Sequence, residues 1–387
     1  MRVGIYGGTF NPPHTGHENS ARIALEQLNL DALVIVPVGV PPHKAMPSGS
    51  PNPGMRLVMT ENTFSDLPNT TISDIEIKNQ KPSYTVCTVE TIKHIYPEAE
   101  LLFLMGTDMY LSLETWKDYK TLLKNITPAV FSRNADDLHK IREHSRHLSE
   151  NYGVYTETVE NTIIPVSSSW LRSNLPNREG KGYIKDTNYS YIIRGRLYGA
   201  RPDWQWLREK AYLMLTKKRI AHVAACEAVA VKLAERWGVC TDDAREAAIL
   251  HDITKKFNFS KHLEALESNG IDIEGISQSE EKLLHARTGA VLAGAEFGAS
   301  ETVQDAIRWH TTGKAGMSKL AKVLYLADYI EATRDFPGVE KLRNLAFLNL
   351  DEAMLMGLEM TASDLMSRGI APDKATADAI SDLKRNR

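Results

Sequence analysis

At 387 residues the chain is too long for one ordinary domain and predicts two. Its 42% hydrophobic and 25% charged residues supply full cores, and apolar runs such as Leu101–Met105 are far too short to span a bilayer, so a membrane partner is excluded. The net charge of -3 excludes a general nucleic-acid binder, which carries a basic excess, and leaves room for small anionic ligands held by a few local cations. Three cysteines, Cys87, Cys226 and Cys240, form no CxxC pair and no disulfide framework, so they are expected as packing in a reducing compartment. Met1 leads directly into strand-like sequence without a charged and apolar leader, which makes the cytoplasm the expected location.

In chain order, Val3–Tyr6 is a short strand, and Ala21, Ala24, Leu25 and Leu28 follow it at helical spacing. Ala32–Val36, Leu101–Met105, Ala129–Phe131 and Ile163–Val166 are further strand candidates. Strands alternating with helices predict an α/β fold with a doubly wound parallel sheet. Pro37–Gly54, rich in Pro, Gly and Ser, predicts a loop over a site. The polar 135–160 region predicts a solvated helical face. Near residue 200 the character changes. Ile220, Val223, Ala224 and Glu227 open one helix, Ala247–Leu250 lies in another, and Lys319–Glu331 is a third. The predicted domains are therefore 1–199, α/β, and 200–387, all α.

The first strand runs into Gly7-Gly8-Thr9-Phe10-Asn11-Pro12-Pro13-His14-Thr15-Gly16-His17, which opens the first helix. Glycines let the backbone approach a phosphate, and the helix start offers free N–H groups. His14 and His17 are three apart, so both leave one face of the first turn and can donate to a phosphate chain as charge develops. A glycine turn with surface histidines is the plainer alternative; both histidines standing in register within eleven residues favour the phosphate site.

That segment resembles the T/HxGH signature of the nucleotidyltransferase superfamily, and most of all bacterial nicotinate-nucleotide adenylyltransferases. Further resemblances are Pro41-Pro42-His43-Lys44, Leu104-Met105-Gly106-Thr107-Asp108 with Leu113-Glu114-Thr115-Trp116, and Val166-Ser167-Ser168-Ser169-Trp170-Leu171-Arg172, similar to an ISSTxxR motif. Asn11 stands where many members carry Asp, and Ser169 where they carry Thr. The resemblance implies adenylyl transfer from ATP, with magnesium, to nicotinate mononucleotide. It assigns catalysis to His14, His17, Lys44 and Arg172. It assigns substrate binding to Gly7, Gly8, Thr9, Phe10, Thr85, Gly106, Asp108, Trp116, Arg133, Ser167 and Ser168, with Trp116 stacking on the pyridine ring and Tyr84-Thr85 near the nicotinate. On the residues alone the serines also fit simple helix capping and Trp116 also fits a core. The runner-up within the superfamily is a phosphopantetheine adenylyltransferase.

In the helical half, His222, His251-Asp252, His285, His310 and Asp328 stand beside apolar helix faces. Burying such groups unpaired is expensive, and one shared cation satisfies several of them. Imidazole with carboxylate suits iron, manganese or zinc rather than calcium. Each histidine taken singly fits a hydrogen-bonded core position; His222, His251-Asp252 and Asp328 taken together favour a metal. His285 and His310 fit a second ion, a phosphate contact, or both. His262, in a polar segment, is expected at the surface.

The order H…HD…D is that of the HD superfamily. The stretches AAILHDITK, LLHARTGA, RWHTTGKAGMSKLAKVLYLADYIE and RDFPGVEKLR resemble bacterial HD hydrolases that split diadenosine tetraphosphate into two ADP. The resemblance implies metal-assisted hydrolysis with iron or another transition metal. Lys255 and Arg334 are candidate phosphate ligands, Lys255 with a solvated lysine beside Lys256 as a nearly equal alternative and Arg334 on the resemblance alone. A nucleotide-sensing regulatory module and a cyclic-dinucleotide phosphodiesterase are the competing readings of this half, the second weakened by the lack of an HD-GYP signature. Composition allows a homo-oligomer and does not require one.

Overall fold

The structure, a computed structural model, describes residues 1–41, 45–79, 82–132, 135–162 and 164–385. It divides into two compact units, Met1–Arg201 and Pro202–Arg387. Among the described residues no helix is long and apolar enough to cross a membrane.

The first unit contains β1 (Arg2–Gly8), α1 (Thr15–Gln27), β2 (Ala32–Pro37), α2 (Pro53–Phe64), β3 (Thr70–Ile72), α3 (Ile75–Lys78), α4 (Thr85–Ile95) and β4 (Glu100–Gly106). It continues with α5 (Thr107–Leu111), α6 (Tyr119–Asn125), β5 (Thr127–Ser132), α7 (Ala135–Tyr152), β6 (Glu157–Glu160), α8 (Ser168–Asn174) and α9 (Asp186–Arg194). All six strands are parallel, in the order β3-β2-β1-β4-β5-β6. This is the expected doubly wound sheet, and the order reverses between β1 and β4. Side-chain alternation fills both faces. Val3, Ile5, Val34, Val36, Leu101 and Phe103 enter one core, while Leu33, Ile35, Leu102 and Leu104 enter the other. Strands covered on both faces are near-continuous apolar runs, which is why β1, β2, β4 and β5 are visible in the sequence.

The last strand differs from expectation. It is β6 at Glu157–Glu160, paired with β5, rather than Ile163–Val166. Ile163 lies outside the described residues, and 164–166 form no strand. As an edge strand β6 buries only Val159 and has no apolar run to announce it. Ile164, Pro165 and Val166 owe their apolar character to a cavity wall instead. The helical face expected over 135–160 therefore ends at Tyr152, and it buries Ile141 and Leu148.

The second unit is helical: α10 (Trp204–Leu213), α11 (Lys217–Trp237), α12 (Thr241–Leu250), α13 (Phe259–Glu267), α14 (Glu281–Phe297), α15 (Glu301–Arg308), α16 (Lys319–Ile330), α17 (Val339–Leu348), α18 (Leu350–Ser367) and α19 (Lys374–Arg385). Helices α11, α12, α14, α15 and α16 converge, and Gly289 on α14 permits close approach, since a Cβ there would stand 3.2 Å from the His251 carbonyl oxygen. His262 is not at the surface. It is buried on α13, Nδ1 against Thr288 Oγ1 at 2.9 Å. It shares a face with Leu266 one turn on, and the polar neighbours that suggested exposure occupy the outer face. Of the cysteines only Cys226 is packing. Cys87 is exposed on the outer side of α4, whose Val86 and Val89 face inward, and Cys240 is exposed ahead of α12.

Candidate active sites

A cavity of about 820 Å³ opens at the carboxyl ends of β1 and β4, where the strand order reverses. Gly7, Gly8, Thr9, His14, His17, Thr85, Gly106, Asp108, Trp116, Ser167 and Ser168 line it. Lys44 and Arg133 lie outside the described residues. Phe10 is not among the lining residues; its ring is buried against Tyr6, Phe64 and His17. It takes a left-handed φ of 45°, a strained conformation for a bulky residue that folds its ring back over Gly8.

The His14 and His17 rings lie with centroids 3.8 Å apart. His17 Nδ1 accepts the His14 backbone N–H at 3.2 Å, so the neutral His17 ring carries its proton on Nε2. Burial brings the His14 pKa down to about 4. Burial, and then the neighbouring His14, hold His17 well below the usual histidine value. Both rings are therefore uncharged at neutral pH, and each offers an N–H. Gly16 makes room for this, because a Cβ there would stand 3.0 Å from His14 Nδ1.

Asn11 fixes the turn from three sides. Its Oδ1 accepts from the Tyr198 hydroxyl at 2.8 Å, its Nδ2 donates to Ser50 Oγ at 2.8 Å, and its carbonyl accepts from Arg172 Nη1 at 2.6 Å. Arg172 also donates to Ser169 Oγ at 3.1 Å and borders a separate shallow pocket with Tyr198. Ser168 Oγ donates to the Pro12 carbonyl at 2.8 Å, and Ser167 caps α8 by accepting from the Trp170 N–H. Trp116 is half-buried, with Phe103 edge-on to it at 6.0 Å.

Two residues at this site escaped the sequence reading. Arg56, 1% exposed, donates to the Thr9 carbonyl at 2.9 Å and the Gly39 carbonyl at 3.0 Å, tying the loops after β1 and β2 together. Its signal was a charge on the apolar side of α2, one turn before Met59 and Thr60. Lys117 lines the cavity with its Nζ 4.0 Å from the Tyr84 ring centroid, and nothing local marks it.

In the second unit, His222 (α11), His251 and Asp252 (the turn after α12), His285 (α14), His310 (after α15) and Asp328 (α16) come together. Each histidine is anchored through Nδ1: His251 to the Ala248 carbonyl, His285 to the Lys282 carbonyl and His310 to the Ile307 carbonyl, each at 2.7 Å, and His222 to Glu331 Oε1 at 3.1 Å. The Nε2 atoms converge on two carboxylates. Asp328 Oδ1 lies 3.0 Å from His222 Nε2 and 4.0 Å from His251 Nε2. Asp252 lies 3.6, 3.4 and 3.8 Å from the Nε2 atoms of His251, His285 and His310.

Nε2 of His222 and of His251 are buried without an aligned hydrogen bond. Orphaned imidazole nitrogens facing carboxylates, with Nδ1 tied behind them, fit a divalent transition ion. His222, His251 and Asp328 form one ligand set, and His251, Asp252 and His310 another. Burial lowers His285 to about 2 and His310 to about 4, which keeps them neutral, as ligation requires. Burial also opposes charge on His222, but Asp328 and Glu331 outweigh it and raise its pKa, so a proton and a cation compete for this ring.

Lys255 Nζ is 2.8 Å from His285 Nε2, and Arg334 Nη2 is 2.7 Å from Asp328 Oδ1. Arg219, Glu331 and Thr333 complete the surroundings and were not foreseen. Arg219 precedes His222 by three residues and Glu331 follows Asp328 by three, a helical spacing that could have flagged both.

The folds and donor sets define a nucleotidyltransferase-type unit followed by a helical unit built around a histidine–carboxylate cluster. The cytidylyltransferase-like family model matches residues 5–174, and the HD domain model matches residues 219–333. A protein of Carboxydothermus hydrogenoformans described as a probable nicotinate-nucleotide adenylyltransferase is 33% identical over 198 residues, covering 98% of that protein and 51% of this chain. Proteins of the same description from Neisseria gonorrhoeae (37% over 200 residues) and Shewanella baltica (42% over 216 residues) are covered to 98% and 99%, each across 51% of this chain. Among solved structures, a predicted HD superfamily hydrolase involved in NAD metabolism from Clostridium acetobutylicum is 32% identical, with a TM-score of 0.47, covering 49% of this chain and all of that one. The Plasmodium falciparum nicotinic acid mononucleotide adenylyltransferase is 18% identical, with a TM-score of 0.41, over 52% of this chain and 98% of that one. Through its N-terminal half the chain belongs to the nicotinate-nucleotide adenylyltransferase family, and its C-terminal half is an HD domain.

Proposed function

We propose that the chain carries two activities in separate sites. At the first, the phosphate of nicotinate mononucleotide attacks the α-phosphate of ATP, pyrophosphate leaves, and deamido-NAD forms, a step of NAD biosynthesis. The observation that carries this is the neutral His14–His17 pair in the β1–β4 crevice. Neutral imidazoles donate to the phosphate chain as charge builds on the leaving pyrophosphate, without first giving up a proton. Positioning supplies the rest, because the protein forms no covalent bond. Arg172 and Lys44 add positive charge, magnesium enters with ATP, and Trp116 packs the pyridine ring. The test follows pyrophosphate release from ATP with nicotinate mononucleotide, nicotinamide mononucleotide or phosphopantetheine. Release with nicotinate mononucleotide by a wide margin is expected; release with phosphopantetheine alone overturns the reading.

At the HD site the proposed reaction is hydrolysis of diadenosine tetraphosphate to two ADP. Its support is the set of four Nδ1-anchored histidines facing Asp252 and Asp328. When bound there, an iron or similar ion supplies Lewis acidity and an activated water. The residues' own part is to hold neutral imidazoles in register, through Glu331 and the carbonyls, and to present Lys255 and Arg334 to phosphate. Metal analysis of the purified chain with a nucleotide hydrolysis screen tests this. Bound transition metal and ADP as sole product are expected. A metal-free chain that hydrolyses no nucleotide makes this half a sensing module.

A further inference from the structure

Arg219 belongs to neither ligand set, yet it reaches the middle of the HD centre. It lies one turn before His222 on α11, so both side chains leave the same face. Its Nη1 is 2.6 Å from Asp252 Oδ2, the oxygen that lies 3.9 Å from His222 Nε2 and 3.6 Å from His251 Nε2. The Asp252 side chain is 2% exposed and that of Arg219 35%. The guanidinium thus extends from the rim inward onto Oδ2, the Asp252 oxygen on the His222 and His251 side, while Oδ1 faces His285 and His310. Arg334 does the same at Asp328, from a side chain 37% exposed.

Charge balance gives this arrangement a consequence. Asp252, Asp328 and Glu331 face Arg219, Lys255 and Arg334, three negative groups against three positive. A divalent ion adds two positive charges and competes with the guanidiniums for the same two carboxylates, Asp252 and Asp328. A guanidinium displaced from Asp252 stays tethered at the rim, where its fork matches phosphate oxygens. We infer that Arg219 is a phosphate-binding residue of the HD site, which exchanges Asp252 for a substrate phosphate when a divalent ion is bound. The ligand class is then one with at least two linked phosphates, enough to meet the added ion and the freed arginine together. This rests on the metal-dependent phosphohydrolase reading of the HD domain.

Arg219→Met and Arg219→Lys in the full chain test it, with melting and circular dichroism to establish folding. Mn²⁺ binding is measured without nucleotide, and pyrophosphate and orthophosphate binding with Mn²⁺ saturating. Each variant is compared with wild type under the same conditions, so that binding by the other domain, common to both, cancels. Arg219→Met should bind Mn²⁺ about tenfold more tightly, because a competitor for Asp252 is gone, and pyrophosphate about tenfold more weakly. Orthophosphate should change less, and Arg219→Lys should fall between. Opposite signs are the signature, since a merely structural arginine would weaken both. Both affinities falling, or neither moving, in a folded variant overturns the role of Arg219 and leaves the HD reading intact. A wild-type chain that takes up no Mn²⁺ overturns the HD reading itself, and this inference with it.

Discussion

Two uncharged imidazoles in contact are the chemical centre of the first unit, and their neutrality has a consequence for stability. His14 titrates at about 4 in the folded chain against an ordinary 6.5. As pH falls the unfolded chain takes the proton first, so the stability tied to the neutral ring is complete above about 6.5 and is lost on the way down to about 4. The loss amounts to about 3 kcal/mol. The stability advantage of wild type over His14→Gln should therefore shrink by that order between pH 7 and pH 4 in denaturant titrations; a constant difference would show that the ring is not buried neutral. If Trp116 packs the pyridine ring as proposed, Trp116→Ala should raise the KM for nicotinate mononucleotide several-fold more than that for ATP, since such a wall would touch the pyridine and not the triphosphate. Equal rises would make Trp116 structural. At this scale the sequence exposes what is local. His14, Gly16 and His17 sit within one turn, and the HD pair is adjacent. Lys117 and Arg219 act on partners 33 residues away in the chain, and that proximity exists only once helices pack.

Arg56 sets the geometry at the scale of elements, since one guanidinium holds the loops after β1 and β2. Gly39 also lets the loop after β2 approach α3; a Cβ there would lie 2.1 Å from the Glu76 carbonyl oxygen. Arg56→Met leaves the Thr9 and Gly39 carbonyls without their buried donor, at about 1–3 kcal/mol each. The first unit should melt roughly 10 °C lower, and adenylation should fall with the loosened glycine loop. A melting point within two degrees or so of wild type would show that water or another donor replaces the guanidinium. Buried, doubly covered strands were legible as apolar runs, whereas β6 was not, because an edge strand with one buried residue has no such run. The apolar 164–166 stretch misled for a related reason: a cavity wall and a buried strand carry the same composition. His262 was misjudged because its α13 neighbours are polar, although the i, i+4 relation to Leu266 pointed inward.

The whole molecule is two units, each with its own polar centre. Glycine backbone, neutral imidazoles and a helix start serve the first. Anchored histidines, carboxylates and a rim of cations serve the second. A net charge of -3 is compatible with the two proposed phosphate sites, since such a site needs only a few local cations. The change from alternating strand and helix to helix alone marked the division in the sequence, but the convergence of His222, His251, His285, His310 and Asp328 from three helices and two turns is a tertiary fact. The central claim is that the two sites are chemically independent, and a crossed pair of variants in the full chain tests it. Adenylation of nicotinate mononucleotide, hydrolysis of diadenosine tetraphosphate and metal content should be measured on one preparation each of wild type, His17→Ala and Asp252→Ala. His17→Ala should lose adenylation by about a hundredfold or more and keep hydrolysis and metal. Asp252→Ala should lose metal and hydrolysis together and keep adenylation within about twofold, as for independent sites that share no residues. Either variant abolishing both activities, or Asp252→Ala retaining its metal and its hydrolysis, would contradict the account.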